Sequence, residues 1–119
     1  MRKVLIVEDE KLIVKILEKF VEKTVDDSSV EVVSTGAEVL SSIQGNSKVF
    51  DLVILDYHLP DMSCEKIIKA LKEKEQNTKI VLSTGEIASK LSNKVGADSF
   101  LQKPFTFDEF QSIVNKLGF

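Results

Sequence analysis

The chain has 119 residues with 16 Lys or Arg against 19 Asp or Glu, a formal net charge of −3, 43% hydrophobic and 29% charged residues. That composition describes one globular domain with enough core to fold without staples, and the single cysteine, Cys64, excludes an internal disulfide framework or a multi-cysteine metal site. No apolar run approaches the ~20 residues of a membrane span, the opening MRKVLIVEDE turns acidic too early for a signal peptide, and no basic block suits nucleic acid. The expectation is a cytoplasmic protein with no membrane or direct nucleic-acid partner.

Two periodicities alternate along the chain. Val4-Leu5-Ile6-Val7 is uniformly apolar and mostly β-branched, as expected of a strand buried on both faces. Leu12, Ile13, Ile16, Leu17, Phe20 and Val21 then recur at steps of one, three and four, which puts them on one face of a helix and by default in the core. A polar, acidic loop over 24–29 leads to a second strand, Val30-Glu31-Val32-Val33. Val39, Leu40 and Ile43 stripe a short helix that Gly45-Asn46 ends. Leu52-Val53-Ile54-Leu55 is the most apolar strand, and Ile67, Ile68 and Leu71 mark the helix behind it. Lys79-Ile80-Val81-Leu82 is the fourth strand, followed by a fourth helix on Ile87, Ala88, Leu91 and Val95. Ser99-Phe100-Leu101 is the fifth strand, and Phe110, Ile113, Val114 and Leu117 stripe the last helix. Five strands alternating with five helices predict an α/β fold, a parallel sheet covered on both faces with right-handed crossovers.

In such a sheet ligands bind beyond the carboxyl ends of the strands, where strand order reverses. Strand one ends in Glu8-Asp9-Glu10, strand three in Asp56, strand four in Ser83-Thr84-Gly85 and strand five in Gln102-Lys103-Pro104. Strand two ends in Ser34-Thr35, which suggests nothing in particular. Each has a plainer explanation when taken alone: Asp9 or Glu10 can cap the following helix, Thr84-Gly85 is an ordinary turn, and a lone Lys103 is a surface residue. Together they say more. In a 2-1-3-4-5 strand order Glu8, Asp9 and Asp56 converge, and three close carboxylates repel unless a cation compensates. Carboxylates, a carbonyl and water are the ligand set of Mg²⁺, which often shares its site with a phosphate. Lys103 can pair with a phosphoryl oxygen or with Asp56. Positioning and charge neutralisation are most of what phosphoryl transfer asks of a protein.

At these residues the chain resembles the receiver domain of two-component response regulators, over its whole length. VLIVEDE at 4–10, DLVILDYHLPDM at 51–62, VLSTGE at 81–86 and GADSFLQKPF at 96–105 carry the resemblance. It implies one receiver domain over 1–119 without an output domain, in the flavodoxin-like three-layer fold with strand order 2-1-3-4-5. It implies that Asp56 accepts the phosphoryl group, that Asp9 and Asp56 hold Mg²⁺ with the main-chain carbonyl of His58, and that Glu8 acts mainly through water. Lys103, joined to Pro104 by a cis bond, would pair with the phosphoryl group. Thr84 would hydrogen-bond a phosphoryl oxygen, and Phe100 would turn into the space Thr84 leaves. The donor would be a histidine kinase or phosphotransfer protein, and a downstream protein would read the surface of the fourth helix, fifth strand and fifth helix. Whether phosphorylation drives dimerisation stays open. Turnover beyond self-phosphorylation and self-hydrolysis is not expected.

The departures carry their own expectations. The 19 positions from Thr84 to Lys103 are fewer than the family pattern suggests, which implies a trimmed fourth helix or its leading loop. Cys64 stands about where the family has a loop glycine, and it reads as a buried small residue rather than a redox group. His58 and Glu86 each lie two positions past a site residue and are candidates for controlling how fast water reaches the phosphoryl group. Two other readings compete. One is a module of this fold that binds without phosphorylation, against which the acids, Thr84 and Lys103 speak. The other is an aspartate-nucleophile phosphatase, whose second acid two positions on is replaced by His58.

Overall fold

A computed structural model describes residues 1–44, 49–85 and 96–119. Among them the elements are β1 (Arg2–Val7), α1 (Lys11–Thr24), β2 (Ser28–Val33), α2 (Gly36–Ser42), β3 (Leu52–Asp56), α3 (Cys64–Lys74), β4 (Lys79–Thr84), β5 (Ser99–Gln102) and α4 (Phe107–Lys116). The helix expected on Ile87, Ala88, Leu91 and Val95, and the Gly45-Asn46 stop, lie outside the described residues, so α4 is the last helix of the sequence pattern.

The five strands form one sheet in the order β2-β1-β3-β4-β5, every neighbouring pair parallel. Alternation along the strands splits the core in two. Val4, Ile6, Leu52, Ile54, Val81 and Leu101 face Leu17 and Val21 of α1 and Phe110 and Val114 of α4. Leu5, Val7, Val53, Leu55, Ile80 and Leu82 face Val39 of α2 and Cys64, Ile67, Ile68 and Leu71 of α3. Each half buries apolar area that one helix layer covers, which is why β3, at the centre, is buried at all five positions. Local signals set the helix starts. Thr35 and Ser63 accept hydrogen bonds from the N–H groups of Glu38 and Lys66, and Thr106 and Glu109 form a reciprocal capping box.

The stripe on α1 is corrected at two positions. Leu17 and Val21 are buried, but Leu12 is 74% exposed and Ile16 45% exposed. Leu12 and Ile16, four residues apart, lie together at the edge of the apolar face, turned away from the side of the helix on which Leu17 and Val21 are buried. There Ile13 and Ile16 line an apolar hollow with Pro104 and Phe105. The polar loop is also shorter than expected, because α1 continues through Thr24 and β2 begins at Ser28.

Candidate functional site

Strand order brings the site together. β1 and β3 are paired through Val7 and Leu55, and on its other side β1 is continued by Glu8, which donates its N–H to the Val33 carbonyl of β2 at 3.0 Å. Glu8, Asp9 and Asp56 therefore meet at the carboxyl edge, each with a carboxylate oxygen within 4.8 Å of the other two. Glu8 and Asp56 are buried, Asp9 is exposed. Lys103 follows β5 and directs Nζ between the two buried acids, 3.0 Å from Oε1 of Glu8 and 3.5 Å from Oδ1 of Asp56. The Lys103–Pro104 peptide is cis.

The plainer capping reading of the first acids does not hold. Glu10 occupies the N-cap of α1, yet its side chain makes no capping hydrogen bond. Glu8 does related work from below, accepting the N–H groups of Asp9 at 3.1 Å and Glu10 at 3.3 Å on Oε2. On the other side of the site the N–H of His58 donates to Asp56 Oδ1 at 3.2 Å, which folds the β3–α3 loop back over the acid. The His58 ring is exposed and packs edge-on against Tyr57, with centroids 4.8 Å apart.

The acids are unevenly perturbed. Burial raises the carboxyl of Glu8 to about 7 and Asp56 adds to the rise, against the lowering effect of Lys103. Burial alone would lower the amine of Lys103, but the hydrogen bond to Glu8 and the charges of Asp56 and Glu8 outweigh it, so its value is raised. One lysine does not neutralise three carboxylates, and an oxygen-only donor set with that surplus suits a hard divalent cation such as Mg²⁺. An open cleft of about 730 Å³ gives access along Asp9, Tyr57, His58 and the loop that continues to Glu65.

Thr84 and Phe100 belong to the other face of the sheet. Phe100 pairs with Leu82 and packs against the α2 and α3 core, and Thr84, two residues past Leu82, is fully buried on that side. Its carbonyl accepts the N–H of Lys103 at 2.7 Å. Glu86 lies outside the described residues. Cys64 is buried, and burial, helped by the Glu65 charge, pushes its thiol up to about 11, which leaves it protonated and unreactive at neutral pH.

Two contributors were not foreseen. Asp61 accepts the N–H groups of Gly36 and Ala37, both at 2.9 Å, and so ties the loop after β3 to the start of α2. Met62 packs on Gly36 so closely that a Cβ there would collide with it. Neither contact joins residues near in sequence, and only the turn-forming character of Pro60-Asp61 hinted at a role.

A cation-ready acidic cluster at the carboxyl edge of a flavodoxin-like sheet defines the class, and comparison with known proteins agrees. A family model for the response regulator receiver domain matches residues 4–115. The transcriptional regulatory protein CutR of Streptomyces coelicolor is 31% identical over 119 residues, covering 98% of this chain and 53% of the relative. The response regulator ArlR of Staphylococcus haemolyticus is 35% identical, covering 92% of this chain and 49% of its own length. The chain thus spans about half the length of these curated relatives. Among solved structures, the chemotaxis response regulator CheY4 of Vibrio cholerae superposes with a TM-score of 0.84 at 26% identity, over 98% of both chains. The response regulator TrrA of Thermotoga maritima, solved in complex with Mg²⁺ and BeF, gives 0.81 at 29% identity over 98% of this chain and 99% of that one. The chain belongs to the response regulator receiver domain family, the signalling receivers of two-component systems.

Proposed function

We propose that this receiver accepts a phosphoryl group on Asp56 from the phosphohistidine of a histidine kinase or phosphotransfer protein. The observation that carries the proposal is the meeting of Glu8, Asp9 and Asp56 within 4.8 Å, with the amine of Lys103 facing them. In the step, an oxygen of Asp56 bonds to phosphorus while the P–N bond breaks. The electron pair stays on the donor's imidazole nitrogen, which takes a proton from water. Asp9, Asp56 and the carbonyl of His58 would hold Mg²⁺, with Glu8 acting through water. When bound, that ion supplies the positive charge that the acids and the transferring oxygens require. Lys103 stays on the side of Asp56 that receives the phosphoryl group and pairs with one of its oxygens.

A phosphoryl group adds close to two negative charges and three acceptor oxygens. Thr84 is the hydroxyl at the end of β4 that can be drawn toward them, and its carbonyl is tied to the N–H of Lys103. Moving one therefore moves the other, and Phe100 fills the space on Thr84's side of the sheet. A downstream protein reads the changed face around β5 and α4. His58 and Glu86 set the access of hydrolytic water. The reading places the domain in the cytoplasm, beside its phosphodonor.

Incubation with Mg²⁺ and acetyl phosphate followed by intact-mass measurement tests this. The expected result is a labile single phosphoryl adduct, absent in Asp56→Asn and absent when Mg²⁺ is chelated. An unmodified wild-type chain at saturating donor and Mg²⁺ overturns the proposal.

A further inference from the structure

Asp56 has a neighbour that the site described so far does not use. In the β3–β4 register Asp56 lies beside Ser83, one row after Leu55 beside Leu82 and two rows after Ile54 beside Val81. Ile54 and Val81 share the α1/α4 core while Leu55 and Leu82 share the other, so alternation returns Asp56 and Ser83 to the α1/α4 face. Glu8, two residues past Ile6, projects from that face too. Thr84 projects from the opposite one.

Ser83 is 1% exposed, and its Oγ has no hydrogen-bond partner among the described residues. A buried hydroxyl without a partner is costly, and cores normally supply one or replace the residue. Its backbone is fixed, since the Ser83 carbonyl accepts the N–H of Tyr57 at 2.8 Å. Only the side chain is free to turn. Adjacent strands lie about 4.8 Å apart, so Ser83 stands one strand spacing from Asp56 on the same face, and χ1 rotation is the movement open to its Oγ.

We propose that the Ser83 hydroxyl donates to the phosphoryl group on Asp56, as a second hydroxyl of the site beside Thr84. The inference rests on the reading of Asp56 as acceptor and deepens it. The two hydroxyls differ in what they require. Thr84 reaches the phosphoryl group only if the end of β4 moves, whereas Ser83 is already on the correct face and needs a rotation alone. Ser83 therefore holds the phosphorylated state together, and Thr84 transmits it.

The test compares wild type, Ser83→Ala and Asp56→Asn, measuring thermal unfolding without ligand and the affinity for beryllofluoride in saturating Mg²⁺. Ser83→Ala should unfold at the same temperature as wild type or higher, because the group removed has no partner to lose. It should bind beryllofluoride roughly threefold to tenfold more weakly, the range of one hydrogen bond. Equal affinity in Ser83→Ala and wild type overturns this inference alone. So does a lower unliganded midpoint, which means the hydroxyl was already engaged in holding the fold. A wild type that takes up no beryllofluoride, like Asp56→Asn, overturns the acceptor reading and this inference with it.

Discussion

At the amino edge of the sheet Lys72 reaches from α3 to the carboxylate of Asp98 at 2.8 Å and to the carbonyl of Thr78 at 2.7 Å. At the carboxyl edge Lys103 faces Glu8 and Asp56, with Asp9 close by. The first arrangement is closed. Asp98 also accepts the N–H of Ile80 at 2.8 Å on the same Oδ2 and returns its own N–H to the Ile80 carbonyl at 2.9 Å, so one cation meets one anion that is also tied to the backbone. The second arrangement is open, with one cation for three acids among the described residues. Balanced pairs of this kind fasten strands; an imbalance held in place by the same backbone is unfavourable until a ligand of opposite charge arrives. The two edges thus separate what holds the sheet from what the sheet holds.

That contrast can be broken by substitution at either end. The largest effect is expected for Lys103→Met, which would remove the charge-assisted contact proposed for the phosphoryl group. Beryllofluoride affinity in Mg²⁺ should fall on the order of tenfold to a hundredfold, read by titration; an unchanged affinity would mean the amine serves the resting fold only. At the opposite edge, Asp98→Ala should cost about 1–3 kcal/mol in urea unfolding by leaving the Ile80 N–H without its acceptor and the Lys72 amine without its ion-pair partner. Its beryllofluoride affinity should match wild type, and any marked loss would show the two edges to be coupled.

A pH titration sharpens the comparison. Glu8 is raised from its ordinary 4.5 to about 7 in the folded chain, so its contribution to stability is fully present below about 4.5 and lost as the pH climbs to about 7. Without divalent ions the wild type should therefore lose stability across that window relative to Glu8→Gln. Saturating Mg²⁺ should erase the difference, because a bound cation favours the ionised carboxylate. Parallel curves for the two proteins without Mg²⁺ would remove the burial argument. The smallest effect is expected for Asp61→Ala, because Asp61 is itself exposed; the change takes the acceptor from the N–H groups of Gly36 and Ala37 at the start of α2. A small loss of stability should appear in denaturant unfolding, and no loss would show that Met62 on Gly36 fixes the loop unaided.

The acids show how far a sequence argument carries. Asp56 was legible because it follows four apolar residues, and Glu8-Asp9 because an acidic pair closes a β-branched run. Ser83 and Thr84 were both visible as hydroxyls, but their division between the two faces was not, since it depends on register with β3. The exposure of Leu12 and Ile16 escaped for a similar reason. Periodicity reports which side of a helix is apolar, while the packing of the fold decides how much of that side is covered.

Alternating apolar runs and stripes were enough to determine an α/β sheet with two helix layers, because a strand buried on both faces and an amphipathic helix each leave a distinct period in the chain. Residue type alone marked the strand ends as chemically loaded. Tertiary structure decided the rest: that Lys103, 95 positions from Glu8, stands 3.0 Å from it, that Asp61 crosses to α2, and that Ser83, its hydroxyl without a partner among the described residues, pairs in register with Asp56. Those contacts join residues with no local relation. Strand order and register create them, and both are settled by the packing of the whole sheet, which no short stretch of sequence contains.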